Sequence, residues 1–184
     1  MIRSANPEVV QPYLKDASNL TGGYAREVVF PEDEKEVVQA LDEACRTKTP
    51  VTVAGNGTGL VGARIPFGGI VLSTEKLGGL REIHQIEGNS SYAVTGPALT
   101  LKQLQEAASA KGLLYPPDPT EQNAFIGASV ATNASGARTF RLGARVTNPV
   151  HQWPDPTIYV NPGGQTLAGI EARTAQTIEW FLHA

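Results

Sequence analysis

Apolar and polar residues change period several times along this chain, and each change marks an expected element. Ala25 to Phe30 reads as a strand that Pro31 ends. From Asp33 onward Val37, Val38, Leu41, Ala44 and Cys45 recur at helical spacing and make one apolar face. Asp33 is the expected N-cap, with Glu36 completing a capping box and Arg46 and Lys48 at the carbonyl end of the dipole. Pro50 stops this helix. Val51 to Val53 and Ile70 to Ser73 read as short apolar strands on either side of AGNGTGLVGARIPFGG. LREIHQIEGNSSYAVTG reads as a hairpin turning across Gly88, Asn89 and Ser90. Thr100 opens a second helix with Gln103 completing a capping box, Leu101, Leu104 and Ala108 forming its apolar stripe, and Gly112 as the C′ residue. Beyond it YPPDPTEQNAFIGASVATNASGARTFRLG runs from prolines into small side chains. In the tail, Thr157 to Val160 is an expected strand, and Thr166 to Leu182 an expected helix burying Leu167, Ile170, Ile178 and Phe181. The plan is an α/β fold of two α/β units, each delivering one loop of small residues. With no linker between them, they are expected to share one ligand and behave as one domain.

Composition narrows the class. At 184 residues and 41% apolar content the chain can bury a substantial core without disulfides or a metal. Its single cysteine, Cys45, excludes an internal disulfide and is expected as a small buried hydrophobe. No apolar run is long enough to span a bilayer and no secretory leader is recognisable at the N-terminus, so a cytoplasmic protein without a transmembrane segment is expected. A formal net charge of −3 with 15 scattered basic residues gives no nucleic-acid footprint. An anionic ligand would therefore have to be held by local backbone donors. His84, His151 and His183 lack metal-ligand spacing, and no metal is expected.

Gly57, Gly59 and Gly62 fit G-x-G-x-x-G after a strand, which raises a Rossmann dinucleotide site as the first hypothesis. That mechanism needs a helix to begin inside the motif. Pro66, Gly68, Gly69 and the β-type run Ile70 to Ser73 refuse one, so the order is strand, loop, strand. A phosphate-binding loop of the Walker type fails as well, because Ala63 and Arg64 follow the last glycine where Lys and Ser/Thr are required. A glycine loop between strands can still bind pyrophosphate as a concave nest of amides, with Thr58 adding a hydroxyl. The competing reading is a tight turn. Between Gly127 and Gly136 the small side chains leave room for a flat ring, and Ser129, Thr132, Asn133 and Ser135 offer neutral hydrogen-bonding groups. The competing reading there is a small-residue strand packed on a helix.

Taken together, VVFPEDEKEVVQAL, PVTVAGNGTGLVGARIPFGGIVLS, GLLYPPDP and IGASVATNASGARTFRLG, in this order, resemble the FAD-binding (PCMH-type) fold of the vanillyl-alcohol oxidase and p-cresol methylhydroxylase family. The likeness is greatest to its FAD-linked oxidases: D-lactate dehydrogenases, the glycolate oxidase flavoprotein subunit and alkyldihydroxyacetonephosphate synthase. It implies that Ala54, Gly55, Asn56, Gly57, Thr58, Gly59 and Leu60, with Gly62, wrap the FAD pyrophosphate. It also implies that Pro117, Asp118 and Pro119 lie beside the ribityl chain and ring, and that Gly127, Ala128, Ser129, Thr132, Asn133 and Gly136 flank the isoalloxazine. Ala128 stands where the family usually has a second glycine. No histidine lies in these loops for covalent attachment, so FAD is expected to be held non-covalently.

The resemblance covers Ala25 to about Gly143. Residues 1–143 are thus expected to form the FAD-binding domain, with units near 25–75 and 76–143, and residues 144–184 a divergent tail. Neither the family's adenine strand nor its substrate-binding cap is recognisable there. Codons for Gly143 through the start of Thr147, read one base back, can encode the Gly-Thr-Arg-Asp of the family pattern, which makes a frameshift or gene fragment the expected origin of the tail. The resemblance implies a flavin-dependent oxidoreductase of 2-hydroxy acids, truncated and inactive alone unless a cap is supplied, by a partner subunit for example. The alternative is a non-catalytic FAD- or nucleotide-binding module or a gene remnant. Base and carboxylate-binding cation usually come from the cap, so no catalytic residue is assigned.

Overall fold

The computed structural model describes residues 1–85, 90–115, 117–132, 134, 136 and, as backbone, the strand at 178–183. The chain divides into two compact units, Met1–Gly78 and Gly79–Ala184.

The first unit runs β1 (Ile2–Ser4), α1 (Pro7–Val10), a 3-10 turn (Gln11–Leu14), β2 (Glu27–Phe30), α2 (Glu34–Arg46), β3 (Val51–Ala54) and β4 (Ile70–Ser73). Its sheet has the order β1-β2-β4-β3, with β1 antiparallel to β2 and the other pairs parallel. Because successive strand residues face opposite sides, the apolar runs serve two cores. Val29, Ile70 and Leu72 pack with Val37, Ala40 and Ala44 of α2, while Val28, Phe30, Val71 and Ala54 pack with Val10 on the other face. This second cover, α1 and the 3-10 turn, lies in a segment to which the sequence pattern assigned nothing. Asn6 caps α1 by accepting from the Glu8 amide at 3.0 Å, and Pro7 occupies its first turn. Arg3 forks onto Glu43 of α2 through both guanidinium nitrogens, and the Met1 amino group pairs with Glu36. Both contacts fasten β1 to α2.

Two helix expectations need correction. Asp33 caps α2 by accepting from the Glu36 amide at 2.8 Å, but the Glu36 carboxylate accepts from Glu32 N–H at 2.9 Å and pairs with Met1 instead of closing the box. Cys45 is exposed, and so is Val38 at 43%. The buried stripe is Val37, Ala40 and Ala44; the 100° step of a helix carries the next residue along, Val38 or Cys45, off the buried line.

The second unit holds β5 (Leu80–Gln85), β6 (Ser90–Thr95), α3 (Leu101–Ser109), α4 (Ile126–Ala131) and β7 (Ile178–His183). β5 and β6 pair antiparallel as a hairpin should, with residues 86–89 of the turn outside the described residues. α3 carries the full capping box of Thr100 and Gln103. Gly112 is left-handed at φ +71°, one position later than expected, because the helix ends at Ser109 with Ala110 as its cap. Leu101, Leu104 and Ala108 pack with Ile83, Ala93, Leu113, Tyr115 and Ile126 into one core. The expected tail helix is contradicted at Ile178–His183, which pairs antiparallel with β6. Its β-branched and aromatic residues suit a pleated strand, and the open edge of β6 supplies backbone partners that a helix would forgo. The rest of that helix and the strand at Thr157 to Val160 lie outside the described residues.

Candidate functional site

The glycine loop leaves β3 at Ala54 and returns at β4. Four of its carbonyls are tied down. Ala54 O accepts from the Thr74 amide at 2.9 Å and its hydroxyl at 3.2 Å, Gly55 O from Arg64 Nη1 at 2.9 Å, Gly57 O from the Ala17 amide at 3.1 Å, and Gly62 O from the Ile65 amide at 3.0 Å. Between these anchors, neither the amides nor the carbonyls of Thr58, Gly59 and Leu60 make a hydrogen bond among the described residues. Gly57 and Gly62 have φ of +76° and +72°, a left-handed backbone open at low cost only to glycine. Gly55, Thr58 and Gly62 are half-buried, while Asn56, Gly59 and Leu60 are exposed.

Behind the loop stands Arg64, which in the sequence pattern is only the residue that breaks the Walker motif. Its Nη1 holds Gly55 O, its Nη2 donates to Pro12 O at 2.9 Å, and its guanidinium lies 5.1 Å from the centre of the Tyr13 ring. Nε is buried and has no partner among the described residues. Burial lowers the Arg64 pKa, opposed by Tyr13, Asp16 and Glu75. Tyr13 in turn donates to Glu75 Oε2 at 2.6 Å. A carboxylate also approaches the loop: Asp16 Oδ2 lies 3.8 Å from where a Cβ on Gly59 would sit. The lone cation inside a glycine-rich loop was the available signal for Arg64. Nothing in the pattern marked Tyr13 and Asp16, since they reach the loop only through the fold.

In the second unit, Asp118 Oδ1 accepts from Gln105 Nε2 at 3.1 Å and Gln122 Nε2 at 3.4 Å, and Pro119 O accepts from Gln122 at 3.1 Å. These glutamines brace the Pro117-Asp118-Pro119 turn, and no motif in the sequence marks them. Pro117 is buried, and Asp118 and Pro119 are half-buried. Gly136 lies directly on that turn, so close that an added Cβ would stand 1.8 Å from Asp118 O. The small-residue segment begins as α4, neither loop nor strand, with the Ile126 amide on Leu99 O at 2.8 Å and the Gly127 amide on Pro97 O at 3.0 Å. The Ser129 hydroxyl donates to Phe125 O at 3.2 Å and that of Thr132 to Ala128 O at 2.8 Å, so both turn back on their own helix and keep only acceptor capacity for a ligand. Ala128 is half-buried, Thr132 exposed, and Asn133 and Ser135 lie outside the described residues. The structure thus brings Pro117 to Pro119 together with Gly136.

A dinucleotide with a doubly charged diphosphate needs backbone donors, and the amides of Thr58, Gly59 and Leu60 are unbonded among the described residues. His84, the described histidine with an acidic neighbour, pairs with Glu82 at 3.1 Å and stacks on Tyr92, and no metal-binding cluster occurs among the described residues. The chain is 41% identical over 117 residues to D-lactate dehydrogenase of Archaeoglobus fulgidus, which covers 63% of this chain and 26% of that one. It is 34% identical over 138 residues to D-lactate dehydrogenase of Anaerostipes hadrus, covering 74% and 28%, and 30% identical over 133 residues to glycolate oxidase subunit GlcD of Bacillus subtilis, covering 71% and 28%. It therefore spans between a quarter and three tenths of the length of these relatives. A solved structure of alkyldihydroxyacetonephosphate synthase shares the fold with a TM-score of 0.66 at 16% identity, over 98% of this chain and 37% of that one. The FAD binding domain profile matches residues 25–149. That match covers most of the chain, so the protein belongs to the FAD binding domain family, and FAD is the cofactor of this domain type.

Proposed function

We propose that the chain is the FAD-binding part of a flavin-dependent oxidoreductase acting on the CH–OH group of a 2-hydroxy acid. The unbonded amides of Thr58, Gly59 and Leu60, in a loop pinned on either side through Gly55 O, Gly57 O and Gly62 O, carry the reading. Thr58, Gly59 and Leu60 would hold the diphosphate through N–H groups, with Ala54 to Gly57 and Gly62 shaping the loop. Pro117 to Pro119, Gly127, Ala128, Ser129, Thr132, Asn133 and Gly136 would line the ribityl and ring end, and the cofactor would be held without a covalent link. Bound flavin supplies a hydride acceptor. The names of the D-lactate and glycolate relatives support the substrate class. Residues 1–143 would act as the cofactor domain.

Turnover also needs a base for the hydroxyl proton and a cation for the carboxylate. No pair filling these roles is evident among the described residues, so the chain by itself would bind flavin without oxidising substrate. Titration of the purified chain with FAD should give visible flavin bands and a thermal shift by mass action, and NAD should give neither. Protection by NAD alone would refute the reading. Bleaching of bound flavin by D-lactate or glycolate under anaerobic conditions would show that the base and cation are present after all.

A further inference from the structure

We propose that Arg64 is the positioning residue of the diphosphate loop: its guanidinium draws the Gly55 carbonyl inward and anchors the loop to the N-terminal segment at Pro12, so that the amides beyond Gly57 stay turned toward the ligand. The role rests on the FAD-binding reading for its purpose, while its geometry stands by itself. Three contacts converge on one side chain. Nη1 and Nη2 each donate at 2.9 Å to carbonyls 43 positions apart in sequence, Gly55 and Pro12, and the flat group lies against the Tyr13 ring. Gly57 leaves the space that the guanidinium occupies, since a Cβ there would stand 2.3 Å from Nη1. The Ala17 amide completes the brace by holding Gly57 O. The N-terminal segment is therefore part of the cofactor loop's support as well as a cover for the sheet.

A lysine retains the charge, but its single ammonium lacks the planar fork that reaches two carbonyls against a ring. A methionine retains the length and removes both bonds. The burial that lowers the Arg64 pKa is partly opposed by the nearby carboxylates of Asp16 and Glu75.

The test compares the full-length protein with Arg64→Lys and Arg64→Met, by hydrogen exchange without cofactor of the Ala17 and Ile65 amides, the protected donors that hold loop carbonyls Gly57 O and Gly62 O and so report loop exchange, and by FAD titration. The expected result is faster exchange in the loop of both variants, unchanged exchange in β2 and β4, and FAD affinity weakened by about tenfold or more in Arg64→Met, the worth of a lost charge-assisted hydrogen bond. Unchanged loop exchange in Arg64→Met would overturn the proposal whether or not FAD binds. Equally faster exchange in loop and strands would overturn it too, by showing a general structural role. If Arg64→Met fails to fold, the same two outcomes are read from Arg64→Lys. Faster loop exchange in the variants of a wild type that binds no FAD would sink the cofactor reading and leave the positioning role standing.

Discussion

Gly57 and Arg64 are matched to each other: the missing side chain of the first is the space filled by the guanidinium of the second, 2.3 Å from where a Cβ would lie. Gly57 also sits at φ +76°, where an L side chain costs roughly 1–2 kcal/mol. Gly57→Ala should therefore push Arg64 off Gly55 O and spoil the loop while the sheet stays folded. We expect little change in far-ultraviolet circular dichroism, a small loss of thermal stability, and loss of FAD retention on gel filtration. Undiminished FAD retention would contradict the fit.

Gly127 is constrained differently. A Cβ there would stand 2.5 Å from Pro97 Cβ and 3.0 Å from Pro97 Cα, neither of which can swing aside. Gly127→Ala should cost about 1–3 kcal/mol through overpacking. Chemical denaturation with and without the substitution measures it, and an unchanged midpoint would show that α4 can shift at no cost.

Tyr13 should give an alkaline signature. Its hydroxyl pKa is pushed up from 10.0 to about 12, first by burial and then by the hydrogen bond it donates to Glu75. The folded protein holds this proton more tightly than the unfolded chain does. The resulting stabilisation is fully present below pH 10 and is lost as the pH rises through about 12. The difference in tyrosinate absorbance between the wild type and Tyr13→Phe should titrate well above 10, and removal of the Glu75 charge by Glu75→Gln should bring it down. A midpoint at the ordinary tyrosine value in the wild type would refute the burial.

Asp16 works against an anion at the loop, with Oδ2 near Gly59 while Oδ1 accepts from the Ser18 amide at 2.9 Å. Asp16→Asn keeps the oxygen for Ser18 and removes the charge. FAD affinity should rise a few-fold at low salt, and the gain should shrink as ionic strength increases, since the carboxylate is partly exposed to screening. A salt-independent gain, or a loss, would mean that Asp16 acts through the shape of the loop and not through charge.

Local pattern determined much of this molecule. The strand read at Ala25 to Phe30 and found at Glu27–Phe30, those at Val51 to Val53 and Ile70 to Ser73, the helix cap at Asp33 and the Thr100–Gln103 box all follow from residues close together in the chain, where propensity, capping and period act. The refusal of a helix after Gly62 was legible for the same reason, because Pro66 and two glycines act on their own backbone. Other features depended on contacts between distant parts of the chain. Cys45 faces outward because the position of the sheet selects which edge of α2 is buried. Ile178–His183 is a strand because β6 offers it an edge. Arg64 became a candidate for the site only once Pro12 and Tyr13, more than fifty positions earlier, were folded beneath it. Spacing along the chain carries no trace of such partners, since the energy of a buried cation is set by which carbonyls and rings the tertiary fold places around it.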